Sequence, residues 1–321
     1  MTAVVFIIGP SRSGSSVLAQ ALGRHPRILA TEELHYYNLL QPQAEECTVG
    51  LWARLEAVQH QGRFFDIKNS TLPDLPTPDP ADLPDPDVAL LPAFFDRHAQ
   101  DAEADVVVEQ TPMNLYYRDV IRADFAAPLF VMMRRDPRAM IASQKMRWRV
   151  GVNGARNIPA RDIARVRYAG HPILQLALLR KTLSAMAQAD SEPDVLTVSY
   201  EHLVTCPEAV LADLATRLGL AYDRAMCEVN DAGSSHTVEG QRRGFDSTRL
   251  EGWRTSLTQT EIWLTEKLYA NALVLPATGA RPRLGEALWL LLRLPWSMAM
   301  AFYYSAGGYA NLIDAVRRRL L

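Results

Sequence analysis

Cysteine is scarce in this chain: Cys47, Cys206 and Cys227 are the only three in 321 residues, and no two form a C-x2-C pair. That count excludes a disulfide-built scaffold and offers no zinc-binding spacing, so a reducing, cytoplasmic setting is expected. A basic excess is also missing. Lys and Arg number 34 against 36 Asp and Glu, a formal net charge of −2, so a nucleic-acid partner is not expected and any anion site has to be local. No basic flank precedes the first apolar run, Val4-Val5-Phe6-Ile7-Ile8, and a cleaved signal peptide is not expected either. Nor is any apolar run long and uninterrupted enough to span a bilayer, which takes about 20 apolar residues with few charges. The best candidate, 284–304, is broken by Glu286, Arg293 and Pro295. It reads as an interfacial or oligomer-packing helix, with peripheral membrane or homo-oligomer contact through 284–321. Internal repeats are absent too.

What is present is the composition of a globule, 48% apolar and 22% charged, long enough for one large domain or two smaller ones. Near-continuous apolar runs at Val4 to Ile8, Val106 to Val108, Leu129 to Met133 and Val195 to Val198 alternate with segments of helical spacing. Those helices are expected at 15–24, 48–60, 113–122, 137–149, 172–189, 207–218 and 258–272. Short apolar strands between helices predict an α/β fold, a parallel sheet covered on both faces. The expected division is a main domain over 1–275 and an apolar helical extension over 276–321. Within the first, 72–92 holds seven prolines among aspartates and reads as an irregular insertion, either a solvated loop or a lid over a ligand site. The Gly-, Ser- and Arg-rich stretch from Asp231 to Glu251 reads as a second irregular region.

The most informative segment is Gly9-Pro10-Ser11-Arg12-Ser13-Gly14-Ser15-Ser16, between the first apolar run and the first helical pattern. Strand, glycine-containing loop and helix start together aim backbone N–H groups and the helix dipole at one point, a natural anion site. The spacing approaches the nucleotide-hydrolase P-loop, but Ser15 stands where that motif has its lysine. The cation sits inside the loop instead, at Arg12. A turn capping a buried helix is the plain structural alternative.

A second segment is Pro128 to Ser143. Its apolar strand ends in Arg134 and Arg135, and Pro137 opens a helix for which Asp136 is the expected N-cap. Ser143 follows Arg135 by eight residues, about two helical turns. Cations at the carboxyl end of a parallel strand lie where open α/β sheets bind ligands; a structural ion pair is the alternative.

Together these segments resemble the sulfotransferases that use 3′-phosphoadenosine 5′-phosphosulfate. The resemblance extends to Glu109-Gln110-Thr111-Pro112, to Val198-Ser199-Tyr200-Glu201-His202-Leu203 and to Thr248-Arg249-Leu250-Glu251-Gly252-Trp253-Arg254. It does not reach the residues from Pro276 onward. It implies a P-loop-type sheet fold and assigns Arg12, Ser13, Gly14, Ser15 and Ser16 to the 5′-phosphosulfate, with Arg135 and Ser143 on the 3′-phosphate. Tyr200 and Arg249 join the donor site. No metal is implied. Thr31-Glu32-Glu33-Leu34-His35 is similar to the Glu-Glu segment of the tyrosylprotein and related bacterial branch, where the first glutamate is the base. Val17, where many cytosolic members carry Trp, points to the same branch.

The chemistry so implied is sulfuryl transfer to a hydroxyl of a small or lipid-like acceptor, with Glu32 as general base and Arg12 stabilising charge on the transferred group. His35 is the reserve base. His25 reads as a helix-ending residue, and Arg242 and Arg243 as cations able to reach a phosphate. Gln110 replaces the family's lysine. The alternatives are a P-loop kinase, which would need a lysine beside Gly14, and a non-catalytic nucleotide-binding scaffold, which Gln110 favours.

Overall fold

Val4 to Ile8 offers an apolar side chain at every position, the pattern of a strand covered on both faces. The computed structural model, which describes residues 2–31, 33–39, 52–53, 55, 90–149, 159–229, 244–247 and 250–305, builds a sheet around that strand. In chain order the elements are β1 (Ala3–Ile8), α1 (Ser15–Leu22), β2 (Ile28–Ala30), α2 (Leu90–Asp101), β3 (Val106–Glu109), α3 (Arg118–Asp124), β4 (Leu129–Arg134), α4 (Pro137–Met146), α5 (Ala160–Ala169) and α6 (Pro172–Ala189). They continue with β5 (Val195–Ser199), α7 (Tyr200–Thr205), α8 (Pro207–Arg217), α9 (Gln259–Leu268) and α10 (Leu284–Ser305). One-turn helices lie at Tyr36–Leu39 and Trp253–Ser256, and a 3₁₀ turn at Pro112–Tyr116.

Two units form. The first, Met1–Arg134 with Ala185–Asn230 and Arg242–Phe245, holds the whole sheet. All five strands are parallel, in the order β2-β3-β1-β4-β5. The fold class is therefore the α/β parallel sheet flanked by helices that the sequence implies. Strand order reverses at β1, between β3 and β4, which makes the carboxyl end of β1 the switch point where open α/β sheets bind ligands. Val5 and Ile7 pack on Leu18 and Leu22 of α1. On the opposite face Phe6 meets Phe95 of α2, Phe125 and Phe130, with ring centroids 6.4, 5.2 and 5.9 Å away. That two-sided burial is what the unbroken apolar run encodes.

The second unit comprises Arg135–Ser184, Asp231–Gln241 and Asp246–Leu321. Its core gathers Met140, Ile141, Leu176, Leu179, Trp253 and Ile262. Asp136 caps α4 as expected, accepting from Arg138 N at 2.9 Å. The same carboxylate grips the fully buried Arg138 guanidinium, Nη2 to Oδ2 at 2.7 Å, and Glu266 takes Nη1 at 2.7 Å. Trp253 lies beneath that guanidinium, 4.3 Å from ring centroid to Cζ. On α9 a capping box joins Thr258 and Glu261.

Several local expectations change. The helix expected over 113–122 is a 3₁₀ turn followed by the short α3, separated at Tyr117, whose φ of −117° is not helical. The last three residues of the 72–92 segment open α2, where Pro92 is tolerated because first-turn N–H groups have no intrahelical partner; 72–89 lie outside the described residues. Most of the helix expected at 48–60 does as well. Among the described residues no helix is long and apolar enough to cross a membrane.

Candidate active site

Beyond β1 the chain turns through backbone conformations that select its residues. Gly9 has φ 134°, and a Cβ there would sit 2.8 Å from the Met133 carbonyl oxygen. Its N–H donates to Pro112 O at 3.3 Å, tying the loop to the turn after β3. Ser13 N donates to Pro10 O at 3.2 Å, and Arg12 is held at φ 71°, sparsely populated for a residue with a Cβ. Strain of this kind persists where surrounding structure over-determines it. Gly14, at φ 99°, precedes α1, and a side chain on it would collide with the ring of Tyr200 at the start of α7.

No side chain caps α1. The first N–H groups of a helix have no intrahelical acceptor, so this N-terminus presents donors and partial positive charge. Ser13 is fully buried, and its hydroxyl has no hydrogen-bond partner among the described residues. A buried, unsatisfied hydroxyl at a helix N-terminus is what an absent anionic group would complete. The loop thus gathers Arg12, Ser13, Gly14, Ser15 and Ser16 with Tyr200 beside them. These donors fit a phosphosulfate.

The neighbouring wall is built from β3. Phe6 of β1 pairs in register with Glu109, the last residue of β3, and Thr31 N donates to Val108 O at 2.8 Å just after β2. Glu109 is buried and accepts four hydrogen bonds: from Leu34 N at 3.2 Å, Thr111 N at 3.0 Å, Asn114 Nδ2 at 2.6 Å and the Thr111 hydroxyl. Burial pushes its carboxyl up to about 7, against the hydrogen bonds from Thr111 and Leu34 that pull it down. His35 N donates to Thr111 Oγ1 at 3.1 Å. The chain either side of the candidate base is therefore pinned to β3; Glu32 itself lies outside the described residues. Gln110 Oε1 and Asn114 Oδ1 are buried there without a partner among the described residues.

The reserve base is engaged locally. His35 Nε2 meets Glu33 Oε2 at 3.2 Å and its Nδ1 meets Asn38 Oδ1 at 3.2 Å. His25 is structural: Nδ1 accepts from Arg27 N at 3.1 Å and Nε2 contacts Ala221 O at 3.0 Å. Arg134 forms a surface pair with Asp190 at 3.0 Å. In the second unit Arg135 is half-buried immediately before the Asp136 cap, and Ser143 is buried on α4. Arg249, Arg242 and Arg243 lie outside the described residues.

The sequence profile of the sulfotransferase family matches residues 4–224. The chain belongs to the sulfotransferase family. The match spans every element of the loop, the Glu109 wall, Arg135, Ser143 and Tyr200, and ends before Arg249 and α10. The chain is 24% identical over 292 residues, 84% of its length, to the nodulation protein NoeE of Sinorhizobium fredii (strain NBRC 101917 / NGR234), and it spans 65% of that relative. Among solved structures it is similar to the sulfotransferase domain from the curacin biosynthetic pathway, with 18% identity, coverage of 86% and 99% of the two chains and a TM-score of 0.46. It is also similar to sulfotransferase STF9 from Mycobacterium avium, with 10% identity, coverage of 84% and 76% and a TM-score of 0.42.

Sequence reasoning singled out the loop but not the part Glu109 plays. An acid closing an apolar strand with Thr two residues later is a usable signal for a buried, hydrogen-bonded carboxylate, but its Leu34 partner lies 75 residues away.

Proposed function

We propose that this sulfotransferase moves a sulfuryl group from 3′-phosphoadenosine 5′-phosphosulfate to a hydroxyl of a small or lipid-like acceptor. The observation that carries the reading is the loop after β1, where the cation is Arg12 and no lysine adjoins Gly14. In this account Ser13, Gly14, Ser15 and Ser16 grip the 5′-phosphosulfate through hydroxyl and backbone donors. Arg12 spans two anionic oxygens with its fork of donors. Tyr200 flanks the loop at Gly14. Arg135, Ser143 and Arg249 hold the remainder of the donor, an assignment that rests on residue type and spacing.

The reaction then follows the logic of phosphoryl transfer, in which positioning and charge stabilisation dominate. The acceptor oxygen bonds to sulfur as the bond from sulfur to the bridging oxygen breaks, leaving 3′,5′-diphosphoadenosine. The hydroxyl proton passes to Glu32, whose neighbours Leu34 and His35 are anchored to Glu109 and Thr111. A Glu32→Gln variant tests this directly. With sulfur-labelled donor and a panel of hydroxyl compounds and lipids, turnover is expected to fall about 100-fold or more while nucleotide binding is unchanged. Unchanged turnover would remove Glu32 as the base.

A further inference from the structure

We propose that the outward face of α10 seats the protein on an anionic lipid bilayer. One side of this helix is committed to the second unit: the Tyr168 and Tyr304 rings stack at 6.0 Å, His171 Nε2 meets Leu290 O at 3.1 Å, and Glu286 accepts from Thr260 N at 2.9 Å. The opposite side carries Trp289, Trp296 and Tyr303 at intervals of seven, interleaved with Leu288, Leu292 and Phe302. Those spacings put all six on one stripe. They are exposed, Leu292 at 73%, Trp296 at 59% and Tyr303 at 67%, and no charged residue falls among them. A contiguous apolar patch on that scale marks an interaction surface.

Charge selects the occupant. Arg293 borders the stripe with its guanidinium 5.5 Å from the centre of the Trp289 ring. At the other end, Arg281, Arg283 and Arg254 help line a cleft of about 540 Å³ directly before α10, with Arg283 paired to Glu286 at 3.5 Å and Arg254 to Glu251 at 2.9 Å. From residue 281 to the end, the sequence holds six arginines against Glu286 and Asp314, in a chain of net charge −2; the last three arginines and Asp314 lie outside the described residues. Two copies meeting through this face would bring like charges together. An anionic bilayer instead supplies hydrocarbon for the stripe and headgroup phosphates for the arginines. Trp and Tyr favour that interfacial depth.

The test is sedimentation of the full chain with phosphatidylcholine vesicles, either alone or containing about one third phosphatidylglycerol. The expected result is co-sedimentation with the anionic vesicles, weakened by salt and reduced about tenfold or more in Leu292→Glu/Trp296→Glu. Both positions are exposed, and an unchanged circular dichroism spectrum and urea midpoint would confirm the variant's fold. Retention in the supernatant with anionic vesicles overturns the proposal, whether the chain is then a monomer or a dimer that the double variant dissociates. Vesicle binding that the variant leaves intact overturns it as well. None of these readouts depends on sulfuryl transfer.

Discussion

Replacing Glu109 by Gln is expected to change how stability depends on pH. The carboxyl is buried and rises from its ordinary value to about 7 in the folded protein. The folded state therefore binds this proton more tightly than the unfolded chain does. Its contribution is fully present below the unfolded value of 4.5 and is lost as pH rises through about 7. A shift of that size is worth about 3 kcal/mol. Gln does not titrate, so the difference in unfolding free energy, wild type minus variant, should fall by about 3 kcal/mol over that window and be flat on either side. Gln also sets an amide donor against donors at Leu34, Thr111 or Asn114, which lowers the variant's stability by a pH-independent amount. Urea unfolding followed by circular dichroism from about pH 4 to about pH 8 measures the difference. A difference that stays constant, or that grows with pH, would refute the reasoning; growth would mean that the four donors outweigh burial.

Two further substitutions probe the two units. Gly14→Ala forces a Cβ into a left-handed conformation and against Tyr200, so it should cost about 1–3 kcal/mol in thermal unfolding and weaken nucleotide binding about tenfold or more; unaltered binding would dissociate the loop from the ligand. Asp136→Ala strips the buried Arg138 of one of its two carboxylate partners and α4 of its cap, a loss of about 3–5 kcal/mol. Asp136→Leu with Arg138→Met should recover much of that in the same unfolding measurement.

Elements set by their own residues were legible in the sequence. β1, β3, β4 and β5 announced themselves as apolar runs, and α6 over Pro172–Ala189 by its spacing. β2 has only Ile28, Leu29 and Ala30, too short a run to stand out. α5 escaped because Arg161, Asp162, Arg165 and Arg167 leave it few apolar side chains, of which only Val166 is buried. α2 was hidden because it begins inside the proline-rich segment. The same division holds for the candidate site. Arg12, the two glycines and the serines are neighbours in sequence and could be read together, as could the Asp136 cap. Glu109 gripping Leu34, and Arg138 gripping Glu266 across 128 residues, are made by the tertiary fold, and no local pattern carries them.

The central claim, that the loop after β1 serves a phosphoadenosine donor, is tested most directly by calorimetric titration with 3′,5′-diphosphoadenosine beside ATP with Mg²⁺. Tight, metal-independent binding of the diphosphate, lost in Arg135→Ala, is the expected result. Preference for Mg-ATP, or binding of neither nucleotide, would contradict it.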